Sequence, residues 1–210
     1  MREYHKIQTV YNRNPDTNYK TLLIGKWALP EFEYLALNKW VFTEKVDGTN
    51  IRIMWNHEEK IVTIGGKTDR AQIPAFLANA ISEMHLVIPL SEMFPETSLC
   101  LYGEGYGAKI QKGGGNYRQD QSVILFDVKI GEWWLQRKDV EDIAGKLGIE
   151  VVPIIGTGTL PNMIGLAQGG FKSKWGDFKA EGIVARPAVE LQARNGQRII
   201  TKIKYKDFER

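Results

Sequence analysis

The sequence predicts an α+β protein with mainly antiparallel sheets and a few helices set outside them. Three observations lead there. Short runs rich in β-branched and aromatic residues recur along the whole chain, divided by glycine, asparagine and aspartate turns. Segments with apolar residues at helical spacing are few and do not alternate regularly with the strands, as a parallel sheet would require. No internal repeat or low-complexity linker interrupts residues 1–210, so a single domain is expected.

In chain order, residues 1–38 are mixed. Asn12-Arg13-Asn14-Pro15-Asp16 is turn chemistry, and residues 30–37, opened by a proline, suit a short helix. Residues 40–55 alternate on both sides of Asp47-Gly48 and read as a β-hairpin, with residues 60–64 as the next strand. Residues 65–70 form a loop, and residues 73–84 carry apolar side chains at helical spacing. Residues 99–102 read as a strand ending at Glu104. The glycines that follow surround Lys109, Lys112 and Arg118. Residues 123–130 and 133–135 form a hairpin around Gly131-Glu132, and residues 139–147 a helix stopped by Gly148. A strand at 151–155, a short helix at 161–168 and two strands at 181–186 and 198–205 complete the chain.

Composition limits what this chain can be. Hydrophobic residues make up 43% and charged residues 25%, ordinary for a globular protein with a buried core. The net charge of +3 and pI of about 8.8 permit nucleic-acid binding without demanding it. Cys100 is the only cysteine, which excludes an intramolecular disulfide and fits a reducing, cytoplasmic setting. No apolar run is long enough to span a bilayer, and the first residues carry no signal core. No metal-ligand spacing, Ser-His-Asp order, phosphate-binding G-x-x-x-x-G-K-[ST] loop or dinucleotide fingerprint is present.

The chemistry concentrates at residues 44–52, E-K-V-D-G-T-N-I-R. Lys45 falls at the end of a strand, next to carboxylates and apolar neighbours. Partial desolvation there would favour the neutral, nucleophilic amine; a solvated hairpin turn is the plain alternative. Downstream come Tyr102-Gly103-Glu104-Gly105, Leu125-Phe126-Asp127-Val128, Glu181-Gly182-Ile183-Val184-Ala185-Arg186 and Thr201-Lys202-Ile203-Lys204. This ordered set resembles motifs I, III, IIIa, IV and V of the covalent nucleotidyltransferases, the ATP-dependent DNA and RNA ligases and the mRNA capping enzymes. The form K-V-D-G-T-N with a closing K-I-K-Y-K-D-F looks most like RNA ligases of the phage RNA ligase 2 type. The likeness runs from Lys45 to Phe208.

The resemblance implies two mainly antiparallel sheets forming an ATP groove, the nucleotidyltransferase (ATP-grasp-like) fold, and a three-step reaction. Lys45 would attack the α-phosphate of ATP to form lysyl-AMP. AMP would pass to an RNA 5′-phosphate, and a 3′-hydroxyl would then displace it. Lys202 and Lys204, two apart on one strand and so on one face, would contact phosphate; an edge strand guarded by lysines is the alternative. Glu181 would bind magnesium or manganese, Asn50 a metal-bound water, and Glu104 the ribose hydroxyls. Phe126 would stack on adenine, although an aromatic in V-I-L-F-D-V also suits plain core. Glu44 would shape the adenine pocket through its backbone, and Asp47-Gly48 belong to the nucleotide site. Arg52, Arg70, Lys109, Lys112 and Arg118 are the candidate RNA contacts. Two departures stand out. Asp47 replaces the histidine of many phage-type relatives, and the chain ends six residues after Lys204, where many ligases continue into a further domain. A monomer acting alone on RNA is expected. DNA nick sealing, GTP-dependent capping, self-adenylylation that needs a partner, and a non-catalytic nucleic-acid-binding module remain as alternatives.

Overall fold

A computed structural model describes residues 3–208. It begins with strands β1 (Gln8–Thr9), β2 (Tyr11–Arg13) and β3 (Leu22–Trp27), helix α1 (Pro30–Tyr34) and strands β4 (Trp40–Lys45), β5 (Thr49–Asn56) and β6 (Ile61–Gly65). Helices α2 (Ala75–Ser82) and α3 (Val87–Met93) precede β7 (Leu99–Gly107), β8 (Gln121–Ile130) and β9 (Trp133–Trp134). Helix α4 (Arg137–Leu147), strands β10 (Glu150–Val151) and β11 (Ile154–Gly158), helix α5 (Leu160–Gly169) and strands β12 (Gly182–Pro187) and β13 (Thr201–Lys204) follow. The fold is mixed α+β, and all but two of its strand pairings are antiparallel. Two compact units result. One takes residues 3–5 together with Asp47–Val152; the other takes Lys6–Val46 and residues 153–208.

Two segments read as continuous in the sequence are cut by this division. Residues 40–55 are not a hairpin. β4 pairs with β11 and β12, whereas β5 pairs with β6 and β7. Each strand alternates as expected, but Trp40 and Phe42 feed one core while Ile51, Ile53 and Trp55 feed another. The expected strand at 151–155 breaks in the same way. Pro153, which has no N–H to donate to a ladder, separates β10 from β11, and the two join different sheets.

In the first unit the sheet order is β10-β8-β7-β5-β6, with β9 added on β8. Helices α2 and α4 cover one face, placing Leu77, Ile81, Val140 and Ile143 against Ile51, Ile53, Leu101 and Leu125. Helix α4 ends on Gly148 in the left-handed region (φ +67°), the conformation that glycine adopts without strain. The ladder between β7 and β8 slips once. Tyr102 pairs with Asp127 and Gly103 with Leu125, which leaves Phe126 as a bulge residue without an opposite partner.

In the second unit the sheet order is β1-β13-β12-β4-β11, beside a small β2-β3 ribbon. Helix α5 starts with a reciprocal cap: the Asn162 backbone N–H donates to Thr159 Oγ1, and the Thr159 N–H to Asn162 Oδ1. Its buried face, Leu160, Met163 and Ala167, packs with Trp40, Phe42, Ile183 and Ile203. Of the six tryptophans, only Trp40 and Trp55 are fully buried; Trp133 is exposed beside a half-buried Trp134.

Cys100 lies inside β7, and burial pushes its thiol up to about 11 from an ordinary 9.0. The folded state thus favours the neutral thiol, a contribution complete below pH 9 and lost as the pH rises through 11. At pH 8 the thiolate fraction falls roughly 100-fold by ionisation alone. A thiol reagent at pH 8 is therefore expected to label Cys100 at least that much more slowly in the native chain than in urea; equal rates would contradict the buried placement.

Candidate active site

The site grows out of one cross-strand row in the second unit. Lys45, the last residue of β4, lies opposite Gly182 of β12, and Gly182 lies opposite Lys204 of β13. Glu181 immediately precedes Gly182. Its carboxylate bridges the row: Lys45 Nζ is 2.5 Å from Oε2 and Lys204 Nζ is 2.5 Å from Oε1. The three side chains are 11–22% exposed, shielded enough to interact strongly yet open to a ligand. Gly182 cannot carry a side chain, because a Cβ there would come 2.2 Å from the Ile203 carbonyl oxygen. Lys202, two residues before Lys204, is half-buried on the same face as Lys204.

Supports hold both ends of this row. The Lys204 backbone N–H donates to Asp207 Oδ2 at 3.0 Å, and Arg13 NH2 donates to Asp207 Oδ1 at 2.8 Å. The aspartate of the closing K-D-F thus fastens the end of β13. Glu44 is buried and turned away from Lys45, as strand alternation demands. Its Oε1 accepts from Ser173 Oγ at 2.6 Å and its Oε2 from the Lys174 N–H at 2.9 Å. The side chain therefore anchors a loop, a role the sequence reading did not assign. Period-two alternation through Trp40 and Phe42 placed Glu44 on the buried face; nothing in the sequence marked Ser173 as its partner.

In the first unit, Asn50 of β5 lies opposite Glu104 of β7. The Asn50 Oδ1 is buried with no hydrogen-bond partner among the described residues. Gly48 permits this close crossing, since a Cβ on it would fall 2.2 Å from the Gly105 oxygen and 2.7 Å from Glu104 Cγ. The Asp47-Gly48 turn is held from the 107–120 loop: the Asp47 N–H donates to Tyr117 Oη at 3.2 Å, and Gln111 Nε2 donates to the Gly48 oxygen at 3.0 Å. Neither Gln111 nor Tyr117 was singled out as a turn support. Phe126 is half-buried, with the Tyr4 ring edge-on at 5.0 Å, and the Tyr4 hydroxyl donates to the buried Asp127 at 2.5 Å.

The expected RNA contacts separate into two kinds. Arg52 is turned inward, its Nε donating to the Gly66 oxygen at 2.7 Å and NH2 to Asp69 at 2.7 Å, so it braces the 65–70 loop instead of facing a polynucleotide. Arg118 donates through Nε and NH2 to Asp120, which raises its already high proton affinity and holds the Asp120 carboxyl below its usual range. Its guanidinium also lies 5.6 Å from the Tyr106 ring centre, and burial pushes the Tyr106 phenol up to about 12. Arg52 acts as an internal strut, whereas the Arg118–Asp120 pair lies at the surface, its side chains 33% and 70% exposed. Arg70, Lys109 and Lys112 are exposed.

The fold is that of the RNA ligases, with a lysine ending one strand and a glutamate joining it to a second lysine. The chain belongs to the RNA ligase family, whose family model matches residues 38–205. Among solved structures it is similar to the RNA ligase of Naegleria gruberi. A mutant apo form superposes with a TM-score of 0.67 at 18% identity, covering 98% of this chain and 58% of that one. A mutant with ATP and Mn gives 0.69 at 17% identity, covering 97% and 56%. Another with AMP and Mn gives 0.65 at 17%, covering 96% and 57%. At these identities the likeness is one of fold, and the chain spans a little over half the length of those structures. No curated protein matches it.

Two substitutions test this geometry. Gly182→Ala is expected to disrupt the β12–β13 pairing and lower the melting temperature by many degrees, because backbone, not a movable side chain, meets the new Cβ. Ser173→Ala leaves Glu44 with one fewer donor and is expected to cost about 1–3 kcal/mol in urea denaturation.

Proposed function

We propose that this chain is an ATP-dependent RNA ligase that joins 3′-hydroxyl and 5′-phosphate ends through a lysyl-AMP intermediate. The observation that carries the reading is the Lys45–Glu181–Lys204 bridge: a nucleophile, a hard oxygen ligand and a phosphate-binding cation in contact within one sheet. The RNA ligase family and the solved neighbours with ATP, AMP and Mn support it.

Lysine donating to a carboxylate does so as an ammonium, which has no lone pair. The bridged arrangement is therefore a resting state, and Lys45 must release Glu181 and its proton before it attacks. Attack of Nζ on the α-phosphorus forms the P–N bond and expels pyrophosphate. The 5′-phosphate oxygen of RNA then takes AMP from Lys45, and a 3′-hydroxyl attacks the adenylylated end, releasing AMP and closing the phosphodiester. Charge gathers on phosphoryl oxygens at every step, so positioned cations do most of the work. Lys204 is assigned to the α-phosphate, with Lys202 beside it on the same strand face.

The residues present fit a divalent ion that keeps most of its waters. Among the described residues no cluster of three or more His, Cys, Asp or Glu could cage a metal. Magnesium, however, takes few protein ligands when phosphates and water supply the rest. In the second unit Glu181 would hold it directly; in the first unit the Asn50 Oδ1 is left to accept a hydrogen bond from a water. Such an ion would draw charge from the α-phosphate and compete with Lys45 for Glu181. Glu104 is assigned to the ribose hydroxyls, Phe126 to the adenine face, and the Glu44 backbone to the adenine edge. Arg70, Lys109 and Lys112 are assigned to RNA phosphates. The chain is proposed to work as a monomer; no helix among the described residues is long and apolar enough to cross a membrane.

Incubation with α-labelled ATP and magnesium is expected to label the protein in an acid-labile bond that Lys45→Ala abolishes. Lys204→Ala and Glu181→Gln are expected to slow labelling by ~100-fold or more. Addition of 5′-phosphorylated RNA should chase the label and give sealed product. A protein first stripped of any bound AMP that takes no label from ATP or GTP would refute the reading. Labelling without sealing on RNA or nicked duplexes would restrict the chain to self-adenylylation.

A further inference from the structure

The segment between α5 and β12 has no part in the chemistry above. Residues 171–179 read F-K-S-K-W-G-D-F-K, lysines interleaved with aromatics. The segment folds back on itself: the Ser173 N–H donates to the Phe178 oxygen at 2.9 Å, the Ala180 N–H donates to the Phe171 oxygen at 2.9 Å, and Lys172 bridges to Lys179. Its return arm runs straight into Glu181. Its foot is fixed by the two hydrogen bonds from Ser173 and Lys174 to the buried carboxylate of Glu44, the neighbour of Lys45. Both ends of this small hairpin are thus tied to residues adjoining the nucleophile and its bridging glutamate.

The tip has a different character from the foot. Phe171 packs on the second unit's core, but Trp175 and Phe178 stand outside both hydrophobic clusters, and Trp175 is half-exposed. Lys172 and Lys174 on either side of Ser173 are exposed. The Lys172–Asp177 pair at 3.0 Å has side chains 65% and 93% exposed, so solvent screens it and a phosphate can displace the carboxylate. Lys179 is engaged otherwise, its ammonium 3.6 Å from the centre of the Tyr205 ring. A partly exposed indole beside two exposed lysines, on a foot anchored to Glu44, is the combination that grips single-stranded nucleic acid: a flat face for a base and cations for the flanking phosphates.

We infer that the 171–179 hairpin is an RNA-contact element, with Trp175 stacking on a base and Lys172 and Lys174 holding phosphates of the strand delivered to Lys45. The choice of RNA rests on the ligase reading, but the test needs neither ATP nor turnover. A fluorescein-labelled, 5′-phosphorylated single-stranded RNA 12-mer is titrated with the full chain, and anisotropy is followed across a series of KCl concentrations. Trp175→Ala is expected to weaken binding by about ten-fold or more. The double variant Lys172→Ala/Lys174→Ala is expected to weaken it and to reduce the slope of log K against log[KCl] by about 1.4, two phosphates' worth. The charge-matched control Lys138→Ala/Lys146→Ala, two exposed lysines of α4, should stay within about two-fold of wild type. Circular dichroism monitors folding; should Trp175→Ala fail to fold, the exposed lysine pair decides. Wild-type affinity and slope in the lysine variant, an equal loss in the control, or no RNA binding by the wild type would each overturn the inference. Failure of the ligase reading shows separately, as absence of label on Lys45.

Discussion

One carboxylate between two ammonium groups organises the second unit. Glu181 can reach Lys45 and Lys204 together only if β4, β12 and β13 hold their register to the residue. A slip of one position would turn every side chain to the other face and bury the lysines in the core. That register is secured by Trp40, Phe42, Ile183 and Ile203 beneath the sheet, and by Asp207 closing the end of β13. Partly buried charges are costly unless paired. The bridge therefore satisfies all three partly buried charges at once.

Glycines permit the close backbone crossings around these polar groups. Gly182 lets β12 and β13 meet beside Glu181, and Gly48 lets the turn after the nucleophile lie against Glu104 and Gly105. In both places a Cβ would strike backbone, which cannot swing aside. The E-G and D-G dipeptides are thus packing requirements as much as turn signals. They bring main chain close to the carboxylates of Glu104 and Glu181, which adjoin these crossings.

Glu44 and Arg52 show how a motif residue can serve the scaffold. Both are charged, flank Lys45 in sequence and are of a residue type that suits contact with a charged ligand. Each is instead buried and committed to a loop: Glu44 to Ser173 and Lys174, Arg52 to Gly66 and Asp69. Burying an ion with its full set of partners rigidifies the loop that supplies them. In this way β4 in the second unit and β5 in the first are each fastened to a loop of their own unit.

The ordered motifs carried the family, and period-two alternation carried most strands, because both are local properties of residues spaced along one chain. Lys45, Asn50, Glu104, Glu181, Lys202 and Lys204 could be named for that reason, and strand alternation put Lys202 and Lys204 on one face. Partner choice was not local. Whether β4 pairs with β5 or with β12 depends on which core its apolar face enters, and the alternation of Trp40–Phe42 and Ile51–Ile53 is equally compatible with either. The bulge at Phe126, the turn from Arg52 to Asp69 and the Ser173 clamp on Glu44 were likewise set by contacts between residues distant in sequence. The sequence by itself determined the chemistry available and the faces that bury. The tertiary structure alone decided which strands lie side by side, because register and pairing are settled by the packing of whole sheets on helices.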